Sequence, residues 1–537
     1  MNILGICGGV RLGNWDAAAA LVVDGKIIAA AEEERFMRVK HAPGMLPTHA
    51  IRYCLAQAGL KPEDIDVVVF PGRTYVNMVE RLTEYFRYVH GICPRIELCD
   101  HHEAHAASAF YTSGHKESLV FTADYSGDGI ASTMWKGSPS GLEAIRRWEF
   151  PDSLGLFYAM ITQHLGFDFG EDEYKVMGLA SYGKPTMDLS WLLNSEPQSY
   201  RFDQKTLRST NGKEPPLSPQ EPLFTRYLEE KLGPARAKGS PMGELHQNLA
   251  ASAQRQLEEV VVRLIREFQA SHPSRNLCLS GGVAMNCVLN HRLASSGDFD
   301  AVYVPPVAGD NGLALGAALL LCAAEDRYPE QMQTAALGPE YSPDEIRQAL
   351  ADVGAPYREV SDPASSAAGF IAAGKIIGWF QGRMEYGARA LGHRSILADP
   401  GRAEMKDRVN RVVKFREGFR PFAPSVAEEA AGEFFAQTFP APFMTFVFDV
   451  RPEAKQRIPA VTHVDGTARV QTISQKTEPM YHALVSEFAR QGGVPMVLNT
   501  SFNIKGQPVV ENPNQAISTF YGSGLQAMLL GSFLLEK

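Results

Sequence analysis

A chain of 537 residues is too long for one hydrophobic core, so at least two domains are expected. Its 45% hydrophobic and 21% charged residues form an ordinary globular balance, and a formal charge of −9 argues against a nucleic-acid partner. Seven scattered cysteines without a CxxC pair read as reduced thiols, and no apolar run approaches the about 20 residues that span a bilayer, so a cytoplasmic protein with no membrane partner is expected.

The first hundred residues alternate strand and helix. "NILGICGG" is an apolar run ending in glycines, and "AAAALVVDGKIIAAAEEER" gives two strands about the tight-turn dipeptide Asp24-Gly25. "THAIRYCLAQAGL" has helical spacing with a closing glycine, and "DVVVFPG" reads as a buried strand. A like beginning recurs in "SLVFTADYSGDGIASTMWKG": strand, glycine-rich turn, strand. Two such hairpins at the heads of successive α/β segments point to a duplicated fold, and in this the chain resembles the actin-like ATPases. A Rossmann unit would also explain the first segment, but no GxGxxG follows either strand.

Between the hairpins stands "DHHEAHAASAF". With Asp100 as the cap of a helix running to about Ser113 and Gly114 beyond its end, His101 and His105 share one face, one turn apart. His102 points elsewhere. Two histidines do not complete a metal site, and the same residues would suit a surface helix start. Two acids could join them: Asp124, at the end of "LVFTAD", and Asp310, in "AGDNG" before a helix. Each could equally be a turn former or cap. A set of two histidines and two aspartates suits Fe(II), Mn(II) or Zn(II).

Residues 195–241, rich in Pro, Ser and charge, read as a surface insertion, and an amphipathic helix follows near Leu245–Gln269. "NLCLSGGVAMNCVLN" gives strand, Gly-Gly turn and helix, a shape suited to a nucleotide, and "YVPPVAGDNGLALGAALLL" closes the domain. The boundary falls between Ala336 and Ala368, which divides the chain into α/β domains 1–350 and 351–537. From Arg383 to Arg420 there are ten Lys or Arg against five Asp or Glu, the mark of an anion site. "LNTSFNIKGQPVVE" adds a turn rich in hydroxyls and amides, including Asn499, Ser501 and Asn503.

The order of HxxxH, "DYSGDG", "EYKVMGLASYG", "LSGGVAMN" and "GDNGLALGAAL" resembles the O-carbamoyltransferase family of NodU and CmcH type, through nearly the whole chain. The resemblance implies an ASKHA-type, actin-like N-terminal domain, related to the protein that makes threonylcarbamoyladenosine in tRNA, and a YrdC-like C-terminal domain. It implies an enzyme that converts carbamoyl phosphate and ATP, with Mg²⁺, to carbamoyl-adenylate and passes the carbamoyl group to an alcohol of a small molecule, such as an antibiotic or glycoside. His101, His105, Asp124 and Asp310 would then hold a metal, usually iron. Gly127, Gly281, Gly282 and Asn286 would lie near the nucleotide, and Lys175 near the reacting groups. Arg389, Arg394, Lys414, Arg416, Arg469, Asn499, Ser501 and Asn503 would contact phosphate or the carbamoyl group, since guanidinium forks match phosphate oxygens in pairs.

One departure matters. Many relatives have His-Asp at the first turn where this chain has Trp15-Asp16. The base for the acceptor is then Asp16, Asp128 or a metal-acidified hydroxyl. Homodimer formation stays open. The rival readings are a small-molecule kinase of actin-like fold, a tRNA-modifying protein, and a non-catalytic nucleotide-binding partner.

Overall fold

The computed structural model describes residues 1–9, 15–208, 221–324 and 331–537. Its first sheet comprises β1 (Asn2–Cys7), β2 (Ala18–Val23), β3 (Lys26–Glu32), β4 (Val67–Pro71) and β5 (Arg95–Cys99), in the order β3-β2-β1-β4-β5. The apolar runs bury β1, β2 and β4 on both faces, as helix-covered sheets require, while the edge strand β5 is only partly covered. The second sheet comprises β6 (Ser118–Gly127), β7 (Ile130–Ser138) and β8 (Gly141–Glu149), then, after a small hairpin of β9 (Leu193–Glu196) and β10 (Ser199–Phe202), β11 (Asn276–Ser280) and β12 (Ala301–Tyr303). Its order is β12-β11-β6-β7-β8.

The two sheets share one connectivity. In each, a first strand pairs antiparallel with the second and the second with the third, while the fourth and fifth extend the first in parallel. The duplication expected from the paired hairpins is therefore present. After the fifth strand of each sheet comes a helix, His101–Ser113 in one half and Leu313–Ala323 in the other. The two helices touch: a Cβ on Gly316 would lie 1.9 Å from the Ala104 carbonyl oxygen, and one on Gly5 of β1 would lie 1.8 Å from that of Ala314. The long apolar run is thus the buried seam between the halves. No helix among the described residues is long and apolar enough to cross a membrane.

The segment expected as a surface insertion is more structured than its composition suggests. It carries β10, the helix Arg226–Leu232 and the buried Leu223 and Leu228, while residues 209–220 lie outside the described part.

A third, mixed sheet is built from β13 (Arg358–Glu359), β14 (Ile377–Phe380), β15 (Arg394–Ala398), β16 (Ala423–Ala427), β19 (Gln471–Ile473), β20 (Met496–Ser501), β21 (Ala527–Leu530) and β22 (Phe533–Glu536). The strands β17 (Val447–Asp449) and β18 (Thr467–Arg469) pair beside it. The helix Pro343–Asp352 packs on the helix Pro513–Tyr521 of this third layer, so the C-terminal layer begins ahead of residue 351.

The third layer is joined tightly to the first two. Glu32 at the end of β3 accepts hydrogen bonds from Asn311 Nδ2 (3.2 Å) and Gly387 N (2.9 Å), and Arg38 donates to the carbonyls of Pro508 and Val509 at 2.8 and 2.6 Å.

Candidate active site

The helix His101–Ser113 starts where the sequence places it. Asp100 caps it by accepting from Glu103 N at 3.0 Å, and Gly114 ends it in the left-handed region. His101 and His105 then face Asp124, at the end of β6, and Asp310, at the start of the symmetry-related helix. His105 Nε2 lies 3.0 Å from Asp124 Oδ2 and 3.4 Å from Asp310 Oδ1; His101 Nε2 lies 3.8 and 3.7 Å from the same atoms. One ligand atom from each of the four falls within 4.8 Å of all the others.

Three features aim this set. Ser280 at the end of β11 donates to Ala308 O and lies 3.3 Å from His105 Nδ1, so Nδ1–H points at Ser280 and the Nε2 lone pair points inward. A Cβ on Gly127 would lie 2.1 Å from the His101 ring, so only glycine leaves that ring its place. Asp128 accepts from His101 N, Arg73 N, Thr74 N and Thr74 Oγ1, which ties the turn after β6 to the helix start. Both its oxygens are engaged, and it holds the helix instead of standing free as a base.

The electrostatics fit a cation. Burial favours the neutral form of His105, but the facing carboxylates of Asp124 and Asp310 outweigh it and raise its pKa to about 9. Burial would raise Asp124, yet the two imidazoles hold it well below the usual carboxylate range. Asp310 is raised, by burial and then by Asp124. His101 Nε2 and Asp310 Oδ1 are buried and reached by no hydrogen bond in the described residues. Two orphaned donor atoms converging on two borderline-hard ligands are what a divalent ion would satisfy. His102, by contrast, is held by Thr122 (2.7 Å) and Ile130 O (3.0 Å) and belongs to the core.

The Gly-Gly turn after β11 lies beside this cluster. Gly281 has φ +88° and its Cβ would lie 2.2 Å from Ala123 O, while a Cβ on Gly282 would lie 3.0 Å from Asp124 Oδ1. Asn286 caps the helix Cys287–Ala294 and pairs its amide with Gln254.

The expected anion residues gather at the contact between the third layer and the helix Glu173–Ala180. Arg420 lies 4.5 Å over the Tyr174 ring, and Lys175 Nζ lies 2.8 Å from Asp172 and 3.4 Å from Glu417. Burial, then Arg469, holds Arg389 down to about 9; burial, then Arg420 and Arg469, does the same to Arg416. Arg469 Nε is buried without a hydrogen-bond partner among the described residues. Lys414 ends a π-helical turn, Asn410–Lys414, and its ammonium reaches Ser501 and Asn503. Burial, then Arg416, Arg420 and Lys40, puts it well below the usual lysine range. Asn499 donates to Ala390 O, beside Arg389, and its Oδ1 is buried and unpartnered among the described residues.

Arg394 is placed differently. Its fully buried guanidinium donates through its two terminal nitrogens to the carbonyls of Gln381, Gly382, His393 and Pro339, while no hydrogen bond among the described residues reaches its Nε. Four carbonyls that converge from two loops thus anchor its terminal nitrogens.

The family models described as Carbamoyltransferase N-terminus and Carbamoyltransferase C-terminus match residues 5–91 with 72–319 and residues 368–537, respectively. The chain belongs to the carbamoyltransferase family. It is 40% identical over 97% of its length to nodulation protein NolNO of Sinorhizobium fredii, of which it covers 79%. It is 41% identical over 82% of its length to nodulation protein NolO of Bradyrhizobium diazoefficiens, again covering 79% of that relative. Among solved structures the likeness is faint: T.kodakarensis HypF shares 15% identity at a TM-score of 0.35, over 61% of this chain and 48% of that one. As a carbamoyltransferase, the enzyme brings together within one molecule a metal-ready tetrad and a cationic cluster.

Sequence reasoning missed Ser280 and His41. Ser280 is an ordinary strand residue until the third dimension sets it against His105. His41 pairs with Asp16 at 2.7 Å, and only the fold makes that contact.

Proposed function

We propose that this carbamoyltransferase is ATP-dependent and acts in two steps. The C-terminal half, YrdC-like in this reading, forms carbamoyl-adenylate; the N-terminal half passes the carbamoyl group to a hydroxyl of a small molecule, such as an antibiotic or glycoside. In the first step carbamoyl phosphate and water give carbamate and phosphate. Carbamate then attacks the α-phosphorus of ATP, supplied with Mg²⁺, and pyrophosphate leaves. In the second, the acceptor oxygen bonds to the carbamoyl carbon, and the bond to the phosphate oxygen breaks to release AMP.

The observation that carries the reading is the cluster of Arg389, Arg416, Arg420 and Arg469. The strongest charges acting on Arg389 and Arg416 include cations of their own sign, so the cluster is tuned for a polyanion that is not part of the protein. There, guanidinium forks would spread the charge of the transferring phosphoryl group. The Gly281-Gly282 turn, bare of side chains, would let the adenylate approach Asp124. An ion held by His101, His105, Asp124 and Asp310, Fe(II) in this reading with Mn(II) or Zn(II) as alternatives, would supply Lewis acidity toward the carbamoyl carbonyl. A mixed anhydride hydrolyses in water, and the close packing through Glu32, Arg38 and Lys175 supports its passage under cover.

The test is the nucleotide released. Carbamoyl-phosphate-dependent exchange of labelled pyrophosphate into ATP, with AMP as the final product, is expected. ADP, with the γ-phosphoryl group on the acceptor, would make the protein a kinase of the same fold.

A further inference from the structure

The two-step reading leaves one role empty: nothing in it takes the proton of the acceptor hydroxyl. Asp128 is engaged by four donors. We propose that His41, oriented by Asp16, is the general base of the transfer step, an inference that rests on the reading above.

The pair is built with some strain. Asp16 has φ 58° and His41 φ 60°, both in the left-handed region, and Asp16 N donates back to His41 O at 2.7 Å. His41 N is fixed by Glu34 Oε2 at 2.6 Å, and the Trp15 ring lies 5.7 Å from the imidazole. Trp15 is itself seated on Gly170, where a Cβ would lie 2.3 Å from its ring. His41 Nδ1 lies 2.7 Å from Asp16 Oδ1, so Nδ1–H is donated to the carboxylate and the lone pair sits on Nε2. No described residue hydrogen-bonds Nε2, and the side chains of His41 and Asp16 are 27% and 32% exposed, open to a substrate.

The dyad also stands where the reaction would occur. The connection between β1 and β2, which holds Asp16, is the counterpart by duplication of the connection between β6 and β7, beside which Asp124 lies at the end of β6. The Cys7 thiol lies 3.4 Å from Asp16 O and 3.3 Å from Asp310 O, so one side chain bridges the dyad loop and the loop of the tetrad. On the other side, Lys40 is near enough to Lys414 to depress its pKa, and Arg38 binds the carbonyls of Pro508 and Val509. Residues 38–41 therefore run between the loop that carries Asp16 and the third layer.

In the transfer step the acceptor O–H proton moves to His41 Nε2 as the oxygen bonds to the carbamoyl carbon. AMP leaves with the electron pair of the broken bond, and Asp16 stabilises the imidazolium until its proton passes to water. Asp16, Glu34 and Glu171 face the ring with negative charge and outweigh its burial, so its pKa is raised to about 9.

The experiment compares wild type, His41→Gln, His41→Gly and Asp16→Asn, with glycerol and water as probe acceptors. Pyrophosphate exchange reports the adenylate and AMP release reports transfer. The expected result is intact exchange with AMP release lowered about 10²–10⁴-fold in His41→Gln. The wild-type rate should rise with pH toward about 9 and lose that rise in the variant. Added imidazole should restore AMP release to His41→Gly. AMP release within twofold of wild type with an unchanged pH profile overturns the dyad, as does loss of exchange together with transfer. A wild type that exchanges pyrophosphate yet releases no AMP to either probe overturns the functional reading, and the dyad with it.

Discussion

Lys175 and Glu417, 3.4 Å apart, join the helix Glu173–Ala180 to the arginine-rich segment of the third layer, with Asp172 on the other side of the same ammonium. Substituting Lys175 by Met leaves two carboxylates without their shared cation. A loss of about 1–3 kcal/mol is expected from the urea midpoint, since a half-buried charge loses its partner. A double-mutant cycle with Glu417→Gln should recover part of it. Strict additivity of the two changes would show that the bridge carries no energy.

Ser280 holds the tautomer of His105, so its hydroxyl acts on the tetrad without entering it. Ser280→Ala is expected to weaken metal retention about 10–100-fold, as loss of a ligand's outer hydrogen bond does. Dialysis against a chelator followed by metal analysis reads this directly. Retention equal to wild type would mean that packing alone orients the ring.

These contacts mark what the sequence could and could not carry. The helix of the tetrad was legible because its signals are local: Asp100 as cap, Gly114 as terminator and four-residue spacing between them. The duplication was legible because each half opens on a hairpin of apolar strands with a glycine-rich turn. Ser280, His41 and Glu32 were not, since each owes its role to a partner brought from another element. Arg394 shows the converse: an arginine among glycines pointed to an anion, yet backbone carbonyls from distant turns occupy it. Charge composition locates a cationic segment, but which of its members face a ligand is a property of the tertiary structure.

Glu173 provides a pH test of the fold. Burial, opposed by the hydrogen bond from Gly170 N and aided by Asp172, pushes its carboxyl from 4.5 up to about 7. A group raised in the folded state stabilises fully below its unfolded pKa, so this contribution is present below about 4.5 and lost as pH rises through about 7. Glu173→Gln keeps an acceptor for Gly170 N and removes the titration. The variant is expected to match wild type at pH about 4.5 and to exceed its urea midpoint at pH about 8. An unchanged pH dependence would show that the carboxyl reaches water.

Arg389 sets function against stability. In the ligand-free protein its guanidinium is desolvated beside Arg469, and its pKa falls to about 9. Arg389→Met removes that repulsion while keeping an unbranched apolar stem. The ligand-free variant is therefore expected to be more stable than wild type, on the order of 1 kcal/mol after discounting for partial exposure, with the gap narrowing at high salt. ATP with carbamoyl phosphate should raise the melting temperature of wild type by mass action, and this rise should be largely absent in the variant. Thermal melts with and without the two co-substrates give both readings from one sample. A variant that loses stability without ligand would place Arg389 among the fold's own supports, like Arg394; one that gains stability and still responds fully to ATP would move the anion to the neighbouring arginines. The opposite signs expected with and without ligand follow from one cause: cations brought together without counter-charge repel until a polyanion fills the space between them.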